Sequence, residues 1–165
     1  MIKKKVCMIG SFAVGKTSLV QRYVTSIFSE KYMTTIGVKI DQKIVIHNGE
    51  DVNLILWDIH GEDDFQKIKT SYLVGASAYF LVADGTRKNT LDKLKELHNR
   101  VIETIGNVPF VVLLNKLDLI DKWEVKEKDI VSLQNQGWQV IQTSAKGGTG
   151  VEDAFKILVE KIMTV

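Results

Sequence analysis

The sequence contains one cysteine and one proline, and it lacks any long run of apolar residues. A single cysteine, Cys7, excludes a disulfide framework within the chain, which fits the reducing conditions of the cytoplasm. Because Cys7 lies in an apolar run, we expect it to be a small core residue. No apolar stretch approaches the roughly 20 residues that a membrane-spanning helix requires. The net charge of +2 is too small to indicate a nucleic acid partner. These features predict a cytoplasmic protein that binds no nucleic acid.

Signals for secretion or lipid attachment are also lacking. No apolar region typical of a signal peptide follows Met1, and Ile2 stands where N-myristoylation needs a glycine. Residues 161–165 contain no cysteine for prenylation. We therefore predict no lipid anchor in this chain, and membrane association only through a missing tail or a partner.

Length and composition predict one domain over residues 1–165. A chain of 165 residues with 45% hydrophobic and 25% charged side chains suits a single buried core. Three runs consist of consecutive apolar residues that do not alternate with polar ones, at 6–9, 79–83 and 110–114. Such runs are typical of strands buried on both faces of a parallel sheet. The preceding basic run, residues 3–5, is expected to be a solvated segment before the first strand.

Helical patterns separate these strands. Apolar stripes at helical spacing occur within residues 19–27, 91–105 and 151–162. Residues 126–136 predict a further helix, which Gly137 would end. The alternation of strands and helices indicates a doubly wound α/β sheet.

One segment interrupts this alternation. Residues 38–46 and 52–57 are both strand-like, and the Asn48-Gly49 pair between them favours a two-residue hairpin turn. With a sixth strand at 138–143, the sequence predicts an α/β fold with a six-stranded, mostly parallel sheet. The sheet would carry one antiparallel edge hairpin and helices on both faces.

A glycine-rich loop, residues 10–17, follows the first buried strand and precedes a helical stretch. Its backbone N–H groups and the helix N-terminus are typical of a phosphate cradle. In such a loop Lys16 reaches the β- and γ-phosphates, and the Thr17 hydroxyl binds Mg²⁺. The residues expected around the phosphates are Ser11, Phe12, Ala13, Val14, Gly15, Lys16, Thr17 and Ser18.

A carboxylate at the end of a later strand suggests the rest of the magnesium site. Asp58 is expected to hold the Mg²⁺ coordination sphere through water. The backbone N–H of Gly61 would meet the γ-phosphate. This Asp-x-x-Gly pattern is informative only because the phosphate loop precedes it.

The motif Asn115-Lys116-Leu117-Asp118 follows the third buried strand, at the same carboxyl edge as the phosphate loop. Ligands of open α/β sheets bind along this edge. The Asp118 carboxylate can accept hydrogen bonds from both N1–H and the 2-amino group of guanine. Adenine lacks these donors, so such a site discriminates by roughly 10⁴-fold or more. The segment Ser144-Ala145-Lys146 would offer a backbone donor to guanine O6.

These motifs resemble the Ras superfamily of small GTPases, and the match covers nearly the whole chain. Residues 34–38, Trp57, Asp58 and Gly61 are similar to the first and second switch segments of the Rab branch, which is the most similar branch. Six further residues are the same as those of the Rab branch at the matching positions, and the match needs no gap: Phe65, Ile68, Ser71, Tyr72, Gly75 and Ala76. The resemblance therefore implies a small GTPase G domain over residues 1–165, with GTP or GDP and Mg²⁺ as ligands.

The resemblance also implies roles for residues in the first switch segment. Phe28 would pack against the guanine, and Tyr32 would cover the phosphates. Thr35 would bind Mg²⁺ and the γ-phosphate only in the GTP state, so its release on hydrolysis would be the switching event.

The partners implied by the resemblance are an effector, an exchange factor and a GTPase-activating protein. The effector would bind through the first switch segment, Trp57 and the second switch segment, as in proteins of vesicle trafficking. Trp57 and Tyr72 match two of three effector-surface aromatics of the Rab branch, whereas Ile40 replaces the third.

Two positions depart from the family pattern. Glu62 stands where the family has the glutamine that orients the attacking water, and its charge opposes that of the phosphate. Phe12 replaces a small residue and would crowd an arginine finger, a group worth roughly 10³–10⁵ in rate. We therefore expect tight GTP binding and slow hydrolysis, with catalysis assigned to Lys16, Thr35, Gly61 and Glu62.

Two other functions remain open from the sequence. Phe12 and Glu62 also fit a hydrolysis-deficient GTP-binding interaction module. A P-loop kinase or ATPase is a further alternative, against which residues 115–118 and 144–146 argue. His60 is the nearest other group for orienting water, but it precedes Gly61, whereas the catalytic histidine of translational GTPases follows that glycine.

Overall fold

The computed structural model describes residues 1–26, 37–60 and 69–164. The strands are β1 Ile2–Gly10, β2 Gly37–His47, β3 Glu50–His60, β4 Ala78–Asp84, β5 Phe110–Asn115 and β6 Val140–Gln142. The helices are α1 Lys16–Thr25, α2 Lys88–Asp92, α3 Leu94–Ile105, α4 Glu127–Asn135 and α5 Val151–Met163. Short 3₁₀ helices occupy Thr70–Tyr72 and Leu117–Lys122.

These strands form one sheet in the order β2-β3-β1-β4-β5-β6. The β2–β3 pair is antiparallel, and the other neighbouring strands are parallel. All seven residues of β4 are buried, as expected for a central strand covered on both faces. The predicted fold class is therefore confirmed.

The hairpin between β2 and β3 has the predicted two-residue turn. His47 pairs with Glu50, and the turn residues Asn48 and Gly49 have φ values of 49° and 81°. Two successive positive φ angles are the signature of a type I′ turn, which asparagine and glycine tolerate best. The turn matches the twist of the two strands and places β2 at the edge of the sheet.

Helices cover both faces of the sheet through two separate apolar clusters. One cluster contains α1 and α5, where the Tyr23 and Phe155 rings stack at 3.7 Å between centroids. The other contains buried residues of α2, α3 and α4. All six predicted apolar positions of α5 are buried, whereas the predicted stripe over 91–105 is divided between α2 and α3.

Cys7 is fully buried in the sheet, and burial raises the pKa of its thiol to about 12. The prediction of a core cysteine is confirmed. No helix within residues 1–26, 37–60 and 69–164 is both long enough and apolar enough to cross a membrane.

Two predictions of local structure were wrong in their bounds. The sixth strand was expected over 138–143 but covers only Val140–Gln142, because the Trp138 N–H bonds the Leu133 carbonyl at the end of α4. The basic residues 3–5 lie inside β1 rather than before it. Lys5 places its Nζ 3.6 Å from the centroid of the Trp57 ring and donates to the Val74 carbonyl at 2.8 Å.

Candidate functional site

The glycine-rich loop joins the end of β1 to the start of α1, at the carboxyl edge of the sheet. Lys16 bends back over this loop, and its Nζ donates to the carbonyls of Gly10 and Ser11 at 2.8 and 3.0 Å. Only 4% of Lys16 is exposed, and burial lowers the pKa of its amine to about 8. The Lys16 amine is therefore held against the glycine-rich loop by two backbone carbonyls.

The N-terminus of α1 is suited to an anion. Its N-cap residue is Gly15, which has a φ of 103° and no side chain that could cap the helix. The first-turn N–H groups of a helix carry partial positive charge and bind phosphate when no side chain caps them. A Cβ at Gly15 would lie 2.2 Å from Asn115 Nδ2, so only glycine fits between the loop and β5.

A pair of oxygen donors lies beside this helix. The Thr17 hydroxyl donates to Asp58 Oδ2 at 2.5 Å, which joins the first turn of α1 to the end of β3. Only 1% of Asp58 is exposed. A hydroxyl and a carboxylate at this separation are the hard oxygen ligands that Mg²⁺ prefers, so the residues present fit this ion.

Asn115, at the end of β5, joins three segments of the site. Its Nδ2 donates to the Val14 carbonyl at 3.0 Å, and its Oδ1 accepts from Thr143 Oγ1 at 3.1 Å and from the Ala145 N–H at 3.2 Å. Only 2% of Asn115 is exposed. A single buried amide therefore connects the glycine-rich loop to the segment after β6.

The carboxylate of Asp118 is exposed and is oriented by the neighbouring loop. Its Oδ1 accepts a hydrogen bond from Ser144 Oγ at 2.8 Å, and Ser144 Oγ accepts from the Gly147 N–H at 2.9 Å. These contacts bring the predicted base-reading residues of the two loops together.

Lys116 crosses from the β5 loop to the glycine-rich loop. It has a left-handed backbone conformation, with φ 73°, and its Nζ donates to the Ala13 carbonyl at 3.1 Å. The same Nζ lies 2.9 Å from Asp84 Oδ2. Burial opposes the charged form of Asp84, but hydrogen bonds from Lys116 and Thr86 hold the pKa of its carboxyl below the usual value.

Three residues that support the site were missed from the sequence. Asp84 also binds Arg87, whose Nη2 donates to the Phe12 carbonyl at 2.8 Å. Arg22 of α1 donates through Nε to the Ala145 carbonyl at 2.7 Å and through Nη2 to the Lys146 carbonyl. Asp84 ends a buried strand as Asp58 does, and this signal could have found it. The two arginines carry no signal in the local sequence.

The structure thus brings together all of the predicted site residues that it describes, in residues 10–18, at Asp58, in 115–118 and in 144–146. Five other predicted residues lie outside the described part of the chain: Phe28, Tyr32, Thr35, Gly61 and Glu62.

Comparison with known proteins identifies the family. A sequence model of the Ras family matches residues 5–164. The chain belongs to the Ras family. It is 34% identical over 162 residues to "Ras-related protein Rab-8B" of Pongo abelii, an alignment that covers 97% of this chain and 78% of that protein.

Two relatives from Dictyostelium discoideum extend this comparison. The Ras-family chain is 35% identical to "Ras-related protein Rab-32C", over 98% of its own length and 74% of the relative. It is 28% identical to "GTP-binding protein Rheb homolog", over 96% and 87% of the two chains. The Rab names agree with the predicted resemblance to the Rab branch.

Proposed function

We propose that residues 1–165 form one G domain that binds GTP and GDP with Mg²⁺, hydrolyses GTP and changes its partners with the bound nucleotide. The observation that carries this proposal is the position of Asn115. Its buried amide joins the glycine-rich loop to the segment 144–146. In a Ras-family chain, this contact supports the proposal that the glycine-rich loop binds phosphate and that residues 115–118 and 144–146 bind the base at the same edge of the sheet.

The phosphate end of the site would depend on Lys16 and the N-terminus of α1. Lys16 would exchange its two carbonyl contacts for phosphate oxygens, and the backbone N–H groups of the loop would surround the β-phosphate. Thr17 and Asp58 would hold Mg²⁺, which neutralises charge on the β- and γ-phosphates when it is bound.

The base end of the site would depend on Asp118. Its carboxylate accepts a hydrogen bond from Ser144 and would bind the base of a nucleotide whose phosphates lie at the glycine-rich loop. Guanine offers two adjacent N–H donors to a carboxylate, and adenine does not. The Ala145 N–H, which already bonds Asn115, lies in the segment that would face guanine O6.

The switching part of the proposal depends on residues outside the described ranges. Thr35 and Gly61 would contact the γ-phosphate, Phe28 would pack on the guanine, and Tyr32 would cover the phosphates. Hydrolysis would break the γ-phosphate contacts and release both switch segments.

An effector would bind the surface between the switch segments. Trp57 and Tyr72 lie side by side, with ring centroids 6.2 Å apart, and Ile40 pairs with Trp57 across the β2–β3 ladder. Ile40 is exposed, so this surface presents apolar area to a partner. An exchange factor and a GTPase-activating protein would act on the same nucleotide site.

Slow intrinsic hydrolysis is the finer proposal, and Glu62→Gln tests it. A carboxylate cannot donate a hydrogen bond to the γ-phosphate, so glutamine is expected to raise the single-turnover rate about tenfold or more. The measurement is product nucleotide against time for the GTP-loaded chain with Mg²⁺, and Asp64→Asn is the control for loss of a neighbouring charge. A wild-type rate near or above ~10⁻⁴ s⁻¹, the intrinsic scale of such proteins, would contradict the proposal.

The same experiment distinguishes the alternative, a hydrolysis-deficient GTP-binding interaction module. Phe12 and Glu62 favour that alternative because both oppose the usual catalytic arrangement. GTP that persists in the wild type and in Glu62→Gln would support it, provided that release of bound GTP is measured separately.

Arg87 is predicted to slow nucleotide release. Its guanidinium, paired with Asp84, donates to the Phe12 carbonyl and thereby fixes the glycine-rich loop. Removing a charge-assisted hydrogen bond costs about 1–2 kcal/mol at a partly exposed site, so Arg87→Ala should release GDP about five- to thirtyfold faster. The measurement is displacement of a fluorescent GDP analogue.

The matched control is Lys88→Ala, which removes the next basic side chain along the chain. Lys88 pairs with Asp129 rather than with the glycine-rich loop, so its loss should leave GDP release unchanged. Equal release rates for Arg87→Ala and the wild type would show that the loop does not depend on this contact.

A further inference from the structure

Trp123 contacts the base-reading loop, residues 115–122, from outside its motif. It directly follows the 3₁₀ helix Leu117–Lys122, and its ring packs against the buried cluster that contains α2, α3 and α4. Its indole Nε1 donates to the Lys116 carbonyl at 2.9 Å. The side chain therefore reaches back along the loop to the second residue of the motif 115–118.

The Lys116 carbonyl also closes the turn that carries Asp118. It accepts from the Leu119 N–H at 2.8 Å, so residues 116–119 form one hydrogen-bonded turn with Asp118 at its third position. Lys116 has a φ of 73°, in the left-handed region that residues with a side chain rarely adopt. Such a conformation persists only where surrounding contacts hold it. The indole bond to the Lys116 carbonyl is a contact of this kind.

Gly85, which follows β4, lies against the indole. A Cβ at Gly85 would overlap the ring carbons of Trp123, so the ring lies directly on the backbone. The Gly85 N–H donates to the Asn115 carbonyl at 3.1 Å. The Gly85 carbonyl accepts from the N–H groups of Glu124 and Val125 at 2.9 and 3.1 Å. Gly85 therefore joins the start of the base-reading loop to the segment that follows it, and the indole is held between this glycine and Lys116.

We propose that Trp123 is a positioning residue for guanine recognition, which acts through Lys116 on the orientation of Asp118. The proposal rests on the function proposed above, in which the Asp118 carboxylate binds guanine. With the indole bond in place, the turn 116–119 is fixed before the nucleotide binds, so less conformational entropy is lost on binding. Without that bond, Asp118 would sample orientations in which it cannot accept from both guanine N–H groups.

Base selectivity distinguishes this positioning role from a purely structural one. Adenine does not offer the carboxylate a pair of N–H donors, so the affinity for ADP gains nothing from a well-oriented Asp118. A general loosening of the site would weaken the binding of GDP and ADP alike. A misplaced Asp118 would weaken the binding of GDP alone, and the ratio of the ADP Kd to the GDP Kd would fall.

The test is Trp123→Phe, which keeps an aromatic ring beside Gly85 and removes the donor to Lys116. The GDP Kd should rise about three- to tenfold, the usual effect of one lost hydrogen bond, whereas the ADP Kd should change less than about twofold. Both constants are measured by calorimetric titration of the full chain after removal of nucleotide. Chemical denaturation of the same samples measures any loss of stability.

Trp138→Phe is the matched control for the exchange of an indole for a phenyl ring. The Trp138 ring packs against His98 and Phe110 rather than against the base-reading loop. This substitution should leave both Kd values unchanged.

Gly85→Ala is a second variant, which retains the indole N–H. Gly85 does not have a left-handed φ, so alanine is opposed there by the Trp123 ring. The added Cβ should displace the ring from Lys116 and lower the same ratio of Kd values. Where Trp123→Phe is too unstable to bind nucleotide, this variant decides by the same two affinities.

A double-mutant cycle with Asp118→Ala tests the route of the effect. In that background, Trp123→Phe should change the GDP Kd by less than about twofold, because the carboxylate that it positions is absent. An undiminished effect there, or an equal loss of GDP and ADP affinity in the single variant, would overturn the proposal. Wild-type affinities in Trp123→Phe, with Asp118→Ala still impaired, would overturn this inference alone. Unchanged GDP affinity in Asp118→Ala would instead overturn the proposed base recognition, and this inference with it.

Discussion

Replacement of Asp118 by alanine is expected to lower the affinity for GDP and GTP by about 10²–10⁴-fold. The carboxylate would accept two hydrogen bonds from guanine, and bonds to a charged group contribute about 1.5–3 kcal/mol each. The discrimination against adenine nucleotides should fall by a similar factor, because ADP gains nothing from the carboxylate. Calorimetric titration of the nucleotide-free chain with GDP and with ADP measures both effects.

Asp121→Ala is the matched control for this substitution. Asp121 lies in the same 3₁₀ helix, Leu117–Lys122, and is exposed, as Asp118 is. Its loss should leave both affinities unchanged, which would separate base recognition from a general loss of negative charge. An Asp118→Ala variant that still binds GDP with wild-type affinity would contradict the assignment of the base-reading residue.

Replacement of Asn115 by alanine is expected to weaken both the fold and the site. The substitution removes three hydrogen bonds in a buried region and leaves the Val14 carbonyl and the Ala145 N–H without this partner. Unsatisfied buried groups cost about 1–3 kcal/mol each, so the free energy of unfolding should fall by about 2–4 kcal/mol. Nucleotide affinity should fall at least about 10²-fold, since the two loops lose their common anchor.

Chemical denaturation of the nucleotide-free chain measures the stability effect separately from the binding effect. Asn107→Ala, at an exposed asparagine of the loop between α3 and β5, is the control and should change stability by less than about 0.5 kcal/mol. A stable Asn115→Ala variant with unchanged GDP affinity would show that the two loops are held in place without this amide.

The site illustrates which features local sequence predicts. The glycine-rich loop and residues 115–118 were recognised because their chemistry depends on contiguous residues at a strand end. The hairpin was recognised because Asn48 and Gly49 are the residue types that accept its positive φ angles. Such features depend on backbone preference and spacing, which a short segment carries by itself.

The contacts that support the two loops of the site could not be predicted from short segments of sequence. Asp84 binds both Lys116 and Arg87, and these two cations donate to neighbouring carbonyls of the glycine-rich loop. Arg22 supports the segment 145–146 in the same way. An arginine on a helix is compatible with a solvated position, so its partner appears only when distant segments are packed together.

Local sequence patterns were sufficient to predict the alternation of strands and helices, the hairpin and the two motifs of the site. These features arise from hydrophobic periodicity, turn geometry and the chemistry of adjacent residues. Tertiary structure alone decided the short β6, the position of residues 3–5 inside β1 and the cationic support of the glycine-rich loop. The last two depend on contacts between residues far apart in the chain, whereas β6 is shortened by the hydrogen bond from Trp138 to Leu133, where the end of α4 packs beside the sheet. The position of β2 at the edge depends likewise on the order of strands in the sheet.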